Sequence, residues 1–168
     1  MQQRSNIFVV PRLYFMEMEG TELEKAFVSQ FYVVSINGSM DTQAPFSKEC
    51  LESGRILVLR FDDIQRKSSC KKLFSEDDAR RIVEFNKRIP VGTDIFVHCA
   101  AGISRSGAVG EVLDMVRNDD PESFYEANPQ IQPNAHVKAL LMRAFDLTPQ
   151  FAEEREKVVP ELNKEYVD

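Results

Sequence analysis

Residues 94–118, DIFVHCAAGISRSGAVGEVLDMVRN, constrain the fold more than any other stretch of the chain. DIFVHC is a short, nearly unbroken apolar run, the pattern of a strand buried on both faces, and RSGAVGEVLDMVRN has the length of a helix. Gly107, Ala108 and Gly110 are poor or small helix residues that allow another element to pack closely. Only AAGIS separates the two segments. A strand, a tight loop and a helix in that order put free backbone N–H groups and the positive end of a helix at the carboxyl end of a strand, which is an anion-binding geometry.

Three further apolar runs, NIFVV, FYVVSI and RILVLRF, are bounded by Pro, Gly, Asn and Asp and separated by longer polar, periodic segments. Strands alternating with helices predict an α/β fold with a central, mostly parallel sheet flanked by helices. SEDDARRIVEFNKRI reads as a helix: Ser75 caps it, acidic residues 76–78 suit its positive end, and Ala79, Ile82 and Val83 share one face. PESFYEANPQIQPNAHVKALLMRAF reads as a short helix, a Pro-punctuated loop and a second helix with Val137, Leu140, Leu141 and Ala144 inward. The tail from Pro149 is expected to be helical, charged and peripheral. With 168 residues, 43% of them hydrophobic, and no repeat or flexible linker, the chain is expected to form one domain over residues 1–168.

Charge and cysteine usage remove several classes of function. A net charge of −6 sets a field that repels nucleic acid and anionic membrane, so any anion must meet a local positive site. Three cysteines, Cys50, Cys70 and Cys99, with no CxxC, suit neither a disulfide framework nor a zinc site. The apolar run near the N-terminus, Ile7 to Val10, is too short for a membrane span or a signal-peptide core, and a cytoplasmic protein without metal or cofactor is expected.

The chemistry lies in the loop. Residues Ala100, Ala101, Gly102, Ile103, Ser104 and Arg105 can turn backbone N–H groups toward a tetrahedral dianion, with Cys99 at the base. Loop amides and the helix start favour the Cys99 thiolate. Arg105 can set its planar fork against two phosphate oxygens, which lysine cannot do. Gly102 permits a backbone conformation closed to other residues, and Ser106 can donate its hydroxyl to the sulfur. His98 points to the opposite face of the strand from Cys99, so it is expected to brace the loop by hydrogen bonding rather than act as its base.

The pattern HCxxGxxRS, here His98, Cys99, Gly102, Arg105 and Ser106, resembles the signature of the cysteine-dependent protein tyrosine phosphatase superfamily. The resemblance is clearest from Ile56 to Arg117 and points to a small, single-domain dual-specificity-phosphatase-like member. It implies hydrolysis of phosphate monoesters, phosphotyrosine in proteins or peptides above all, through a phosphocysteine intermediate. Such enzymes protonate the leaving oxygen with an aspartate upstream, and LVLRFDDIQ offers two; the resemblance favours Asp63, with Asp62 as the alternative, and both residues can also simply end a strand. Two other readings fit the same signature: an RNA 5′-triphosphatase, which the acidic balance disfavours, and a non-catalytic phosphopeptide-binding module.

Weaker signals surround this core. Gln130 and Gln132 stand where some tyrosine phosphatases carry a water-positioning glutamine, whereas Asn134 is read as a helix cap and His136 as an ordinary polar residue. Some relatives trap an oxidised nucleophile as a disulfide, a role Cys50 or Cys70 could fill. RKSSCKK, residues 66–72, is a small basic segment just after the acid pair and is expected to be a solvated loop, or a guide for acidic substrates.

Overall fold

The computed structural model describes residues 3–156. In chain order the elements are β1 (Ile7–Pro11), α1 (Leu13–Met16), α2 (Glu22–Val28), β2 (Tyr32–Asn37), α3 (Lys48–Leu51), β3 (Ile56–Arg60), α4 (Glu76–Arg88), β4 (Ile95–Cys99), α5 (Arg105–Arg117), α6 (Pro121–Ala127), α7 (Ala135–Ala144) and α8 (Pro149–Glu156). The strands form one parallel sheet in the order β1-β4-β2-β3. Each apolar run singled out in the sequence is one of these strands, displaced by at most a residue or so at its ends, and the sheet is entirely rather than mostly parallel.

The strand that leads into the signature loop occupies the interior of the sheet. All five residues of β4 are buried, and successive side chains enter different layers. Ile95, Val97 and Cys99 join the larger core with α4 to α7, while Phe96 joins a second core with Phe15, Val28 and Phe46. His98 takes the second side as well, its ring 5.4 Å from Phe15 and 6.0 Å from Phe46. Cys99 and His98 therefore face opposite layers, as strand alternation requires.

Helix α5 is buried along most of its length, so it lacks the polar stripe of a surface helix. Gly110 explains how close it lies: a Cβ there would stand 2.7 Å from Val9 Cγ2 on β1. α4 begins in a reciprocal capping box, with Asp78 N donating to Ser75 Oγ and Ser75 N donating to Asp78 Oδ2.

Two readings of the sequence change. α1, α2 and α3 were not foreseen; they are four, seven and four residues long, too short for a periodic signal, and they cover the second face of the sheet. The tail is helical over α8 as expected, yet it is not peripheral there. Phe151 packs against the main core, and Arg155, 4% exposed, pairs with Asp114 at 2.9 Å and Asp119 at 2.8 Å. Residues 157–168 of that tail lie outside the described residues.

Candidate active site

The loop after β4 is shaped by where its carbonyl groups are held. Ala100 O accepts from Arg12 N at 3.2 Å, and Gly102 O accepts from Gln130 Nε2 at 3.2 Å. Ile103 O accepts from Gln132 N, and Ser104 O accepts from Asn134 N, each at 3.0 Å. In a trans peptide the N–H points away from the C=O of the same plane. Carbonyls fastened outward at four positions therefore turn the amides of Ala101, Ile103, Ser104 and Arg105 toward the inside of the loop. Gly102 makes the turn possible: its φ is +71°, and a Cβ would lie 2.6 Å from both Pro11 N and Val10 C.

Cys99 sits at the centre of this ring, 3% exposed, with its Sγ 3.0 Å from Ser106 Oγ. Burial pushes a thiol up, but here the Ser106 hydroxyl, the amides of Ser106 and Ile103 and the Arg105 charge outweigh burial and hold Cys99 below the ordinary range. Arg105, also buried, donates from Nη1 to Phe61 O at 2.9 Å. One edge of the guanidinium is thus tied to the residue just before Asp62, which fixes the fork relative to the acid pair.

His98 is fully buried and belongs to a chain of hydrogen bonds behind the loop. Its Nδ1 lies 3.2 Å from Cys99 O and its Nε2 lies 2.6 Å from Ser35 Oγ. A carbonyl can only accept, so Nδ1 carries the proton and Nε2 accepts from the Ser35 hydroxyl. Asn37 Nδ2 donates to Ser35 Oγ at 3.2 Å, and Arg12 Nη1 donates to Asn37 Oδ1 at 2.6 Å. Burial, together with the Arg12 and Arg105 charges, pushes His98 down to about 4, so it is neutral near pH 7.

The two aspartates after β3 have different surroundings. Asp62 accepts from Ser39 N at 3.0 Å, Ser39 Oγ at 2.6 Å and Lys72 N at 2.7 Å. Burial would raise its carboxyl, but these donors and the Arg105 charge hold it below the usual range. Asp63 is exposed at the rim, and its Oδ1 accepts from Ser104 Oγ at 2.8 Å and Asn134 Nδ2 at 2.9 Å. Its Oδ2 has no hydrogen-bond partner among the described residues.

The structure thus brings Cys99, Arg105, Ser106, Ser104 and Asp63 to one loop mouth, with His98 behind it. Asn134 caps α7, as its sequence position suggests, by accepting from His136 N and Val137 N. It also reaches Asp63, a second task that the Pro-Asn pair alone did not reveal. Gln130 donates to Val9 O and Gly102 O and so braces the loop from behind, while the Gln132 side chain is exposed. His136 is half-buried against Phe74 O at 2.9 Å. Arg12, Ser35 and Asn37 were not foreseen, because their role depends on β1 and β2 lying beside β4. All three cysteines are free; Cys50 is buried in the core on the far side of the sheet from Cys99, and Cys70 is exposed. Among the described residues no helix is long and apolar enough to cross a membrane, and no group of three or more His, Cys, Asp or Glu is placed to hold a metal ion.

With its parallel four-stranded sheet, helices on both faces and a tight loop at the end of an interior strand, the chain has a dual-specificity-phosphatase-like fold. Among solved structures it is similar to human DUSP28, with a TM-score of 0.53 at 15% identity over 86% of this chain and 94% of that one. The human tyrosine phosphatase-like serine/threonine/tyrosine-interacting protein aligns with a TM-score of 0.52 at 20% identity, covering 84% and 91% of the two chains. PTPMT1 in complex with PI(5)P aligns with a TM-score of 0.51 at 14% identity, covering 92% and 97%. No family model matches the sequence, and no curated protein matches it.

Proposed function

We propose that the protein is a cysteine-dependent phosphatase that hydrolyses phosphate monoesters, phosphotyrosine in proteins or peptides foremost. The observation that carries this reading is the ring of outward-held carbonyls around a Cys99 sulfur whose ionisation is favoured, with Arg105 set beside it. Inward amides and a guanidinium fork match the three equatorial oxygens of a transferring phosphoryl group.

In the first step Cys99 Sγ forms the S–P bond as the P–O bond to the leaving group breaks, and Asp63 gives its proton to the departing oxygen. A phenolate needs that proton because its conjugate acid has a pKa near 10. In the second step water attacks phosphorus, the S–P bond breaks, and Asp63 takes the water's proton. The Ser106 hydroxyl stabilises the sulfur as it leaves. Asp63 suits the acid role better than Asp62: one of its oxygens is oriented by Ser104 and Asn134 while the other is free to carry a proton, whereas Asp62 is held ionised by three donors.

Acid quench during turnover of a phosphotyrosine peptide by Ser106→Ala, in which loss of the hydroxyl beside the sulfur slows breakdown of the intermediate more than its formation, followed by mass spectrometry of the cysteine peptides, tests the reading. Phosphate found on the peptide containing Cys99 supports it; turnover without any phosphocysteine contradicts it.

A further inference from the structure

The loop joining β3 to α4 is closed at its neck. Asp62 N donates to Lys72 O and Lys72 N donates to Asp62 Oδ2, both at 2.7 Å, and Asn134 holds Asp63 and Ile64, so the segment beyond Ile64 leaves and rejoins the body at this neck. That point adjoins the phosphate loop: an atom placed at the Cβ position of Gly38 would lie 3.2 Å from Asp62 Oδ1 and 3.9 Å from Arg105 Nη1.

Four cations, Arg66, Lys67, Lys71 and Lys72, occupy this loop, and residues 65–72 are all exposed. Several other surface cations are neutralised locally: Lys25 pairs with Glu22 and Glu49, Arg80 with Asp77, and Lys87 with Glu84. Among the described residues none of the four loop cations forms a salt bridge or donates a side-chain hydrogen bond; Lys72 only adds its charge to the field that holds Asp77 low. Asp62, the acid at the loop's neck, is engaged by three other donors.

We infer that the 65–72 loop is a second anion subsite that selects phosphotyrosine peptides carrying acidic or phosphorylated residues beside the target, a reading that rests on the phosphatase assignment. An extended peptide advances about 3.3 Å per residue, so with the target phosphate in the Cys99 ring, whose Arg105 adjoins the loop's neck, residues a few positions away are within reach of the loop. Four exposed cations on a chain of net charge −6 suit a short acidic segment better than a long polyanion or a charged surface, which the rest of the molecule repels.

The test compares fluorescent phosphotyrosine peptides with acidic, neutral or basic flanks. Affinity is measured by anisotropy on Cys99→Ser, with the loop intact or carrying Arg66→Ser, Lys67→Ser and Lys71→Ser together, and turnover is measured on the same loop pair with Cys99 present. The expected preference for the acidic peptide is about tenfold at low salt, shrinking as salt rises. The triple variant should lose it while its rate on p-nitrophenyl phosphate is unchanged. Equal affinity for the three peptides, or a preference that survives the triple variant, overturns the subsite. So does a loss confined to phosphatidylserine vesicles or triphosphate-ended RNA. If no phosphate is released from any substrate the phosphatase reading fails, and the anisotropy comparison still decides the subsite.

Discussion

His98 transfers no proton in the proposed reaction, yet it should govern how the fold responds to mild acid. The ring is fully buried between Ser35 Oγ and Cys99 O, and burial lowers it from 6.5 to about 4. Between those values the unfolded chain binds a proton that the folded chain refuses. Stability is therefore intact above about pH 6.5, falls as pH drops through that value, and reaches its full loss below about pH 4. At about 1.36 kcal/mol per unit the full loss is about 3 kcal/mol, with about 2 kcal/mol of it gone by about pH 5. Carboxylates held low by partners, such as Asp62 and Glu24, lose their contribution only as pH falls further, and Asp114, raised by burial, gains rather than loses stability as it takes up its proton, so the loss of stability above about pH 5 comes from the histidine. Urea unfolding from about pH 7.5 to about pH 5 reads the loss directly, and proton NMR of the two histidines reads the titration itself. His98→Gln, if it folds, should flatten the profile. A level stability across that range, or a His98 ring titrating near 6.5, would refute the buried neutral imidazole and the bonding chain built on it.

Other outcomes follow from the same geometry. Asp63→Ala should slow aryl phosphate hydrolysis by about 10² to 10⁴, with less effect on a substrate whose leaving group needs no proton, and a larger loss from Asp62→Ala would reverse the assignment. Gly102→Ala must hold an alanine at φ +71° with its Cβ against β1 backbone; that should destabilise the protein by about 2 to 5 kcal/mol in urea melts, and a change under about 0.5 kcal/mol would mean the loop is not so constrained. Ser106→Ala removes the hydroxyl at 3.0 Å from the sulfur, so the midpoint of iodoacetamide alkylation against pH should rise, and an unmoved midpoint would show that the hydroxyl does not stabilise the thiolate.

The parts of the site legible in the sequence were those carried by a local pattern. Strand β4, the loop and α5 are consecutive, so the relation of Cys99 to Gly102, Arg105 and Ser106 needed no long-range contact. The opposite facings of His98 and Cys99 followed from strand alternation alone. Arg12, Asn37 and Ser35 could not be found that way, because they reach His98 and the loop only when β1 and β2 flank β4 in the sheet. Asn134 was half legible: a cap is a local feature, but its bond to Asp63 spans 71 residues. Arg155 was misread because a charged tail looks solvated until Asp114 and Asp119 are seen beneath it.

The most direct measurement is phosphate release from a phosphotyrosine peptide in the presence of a chelator, comparing the unaltered protein with Cys99→Ser and Arg105→Ala. Chelator-resistant release that Cys99→Ser abolishes, with Arg105→Ala severely impaired, is the expected result. Release that persists in Cys99→Ser, or that the chelator stops, would contradict a thiolate nucleophile at the centre of the loop.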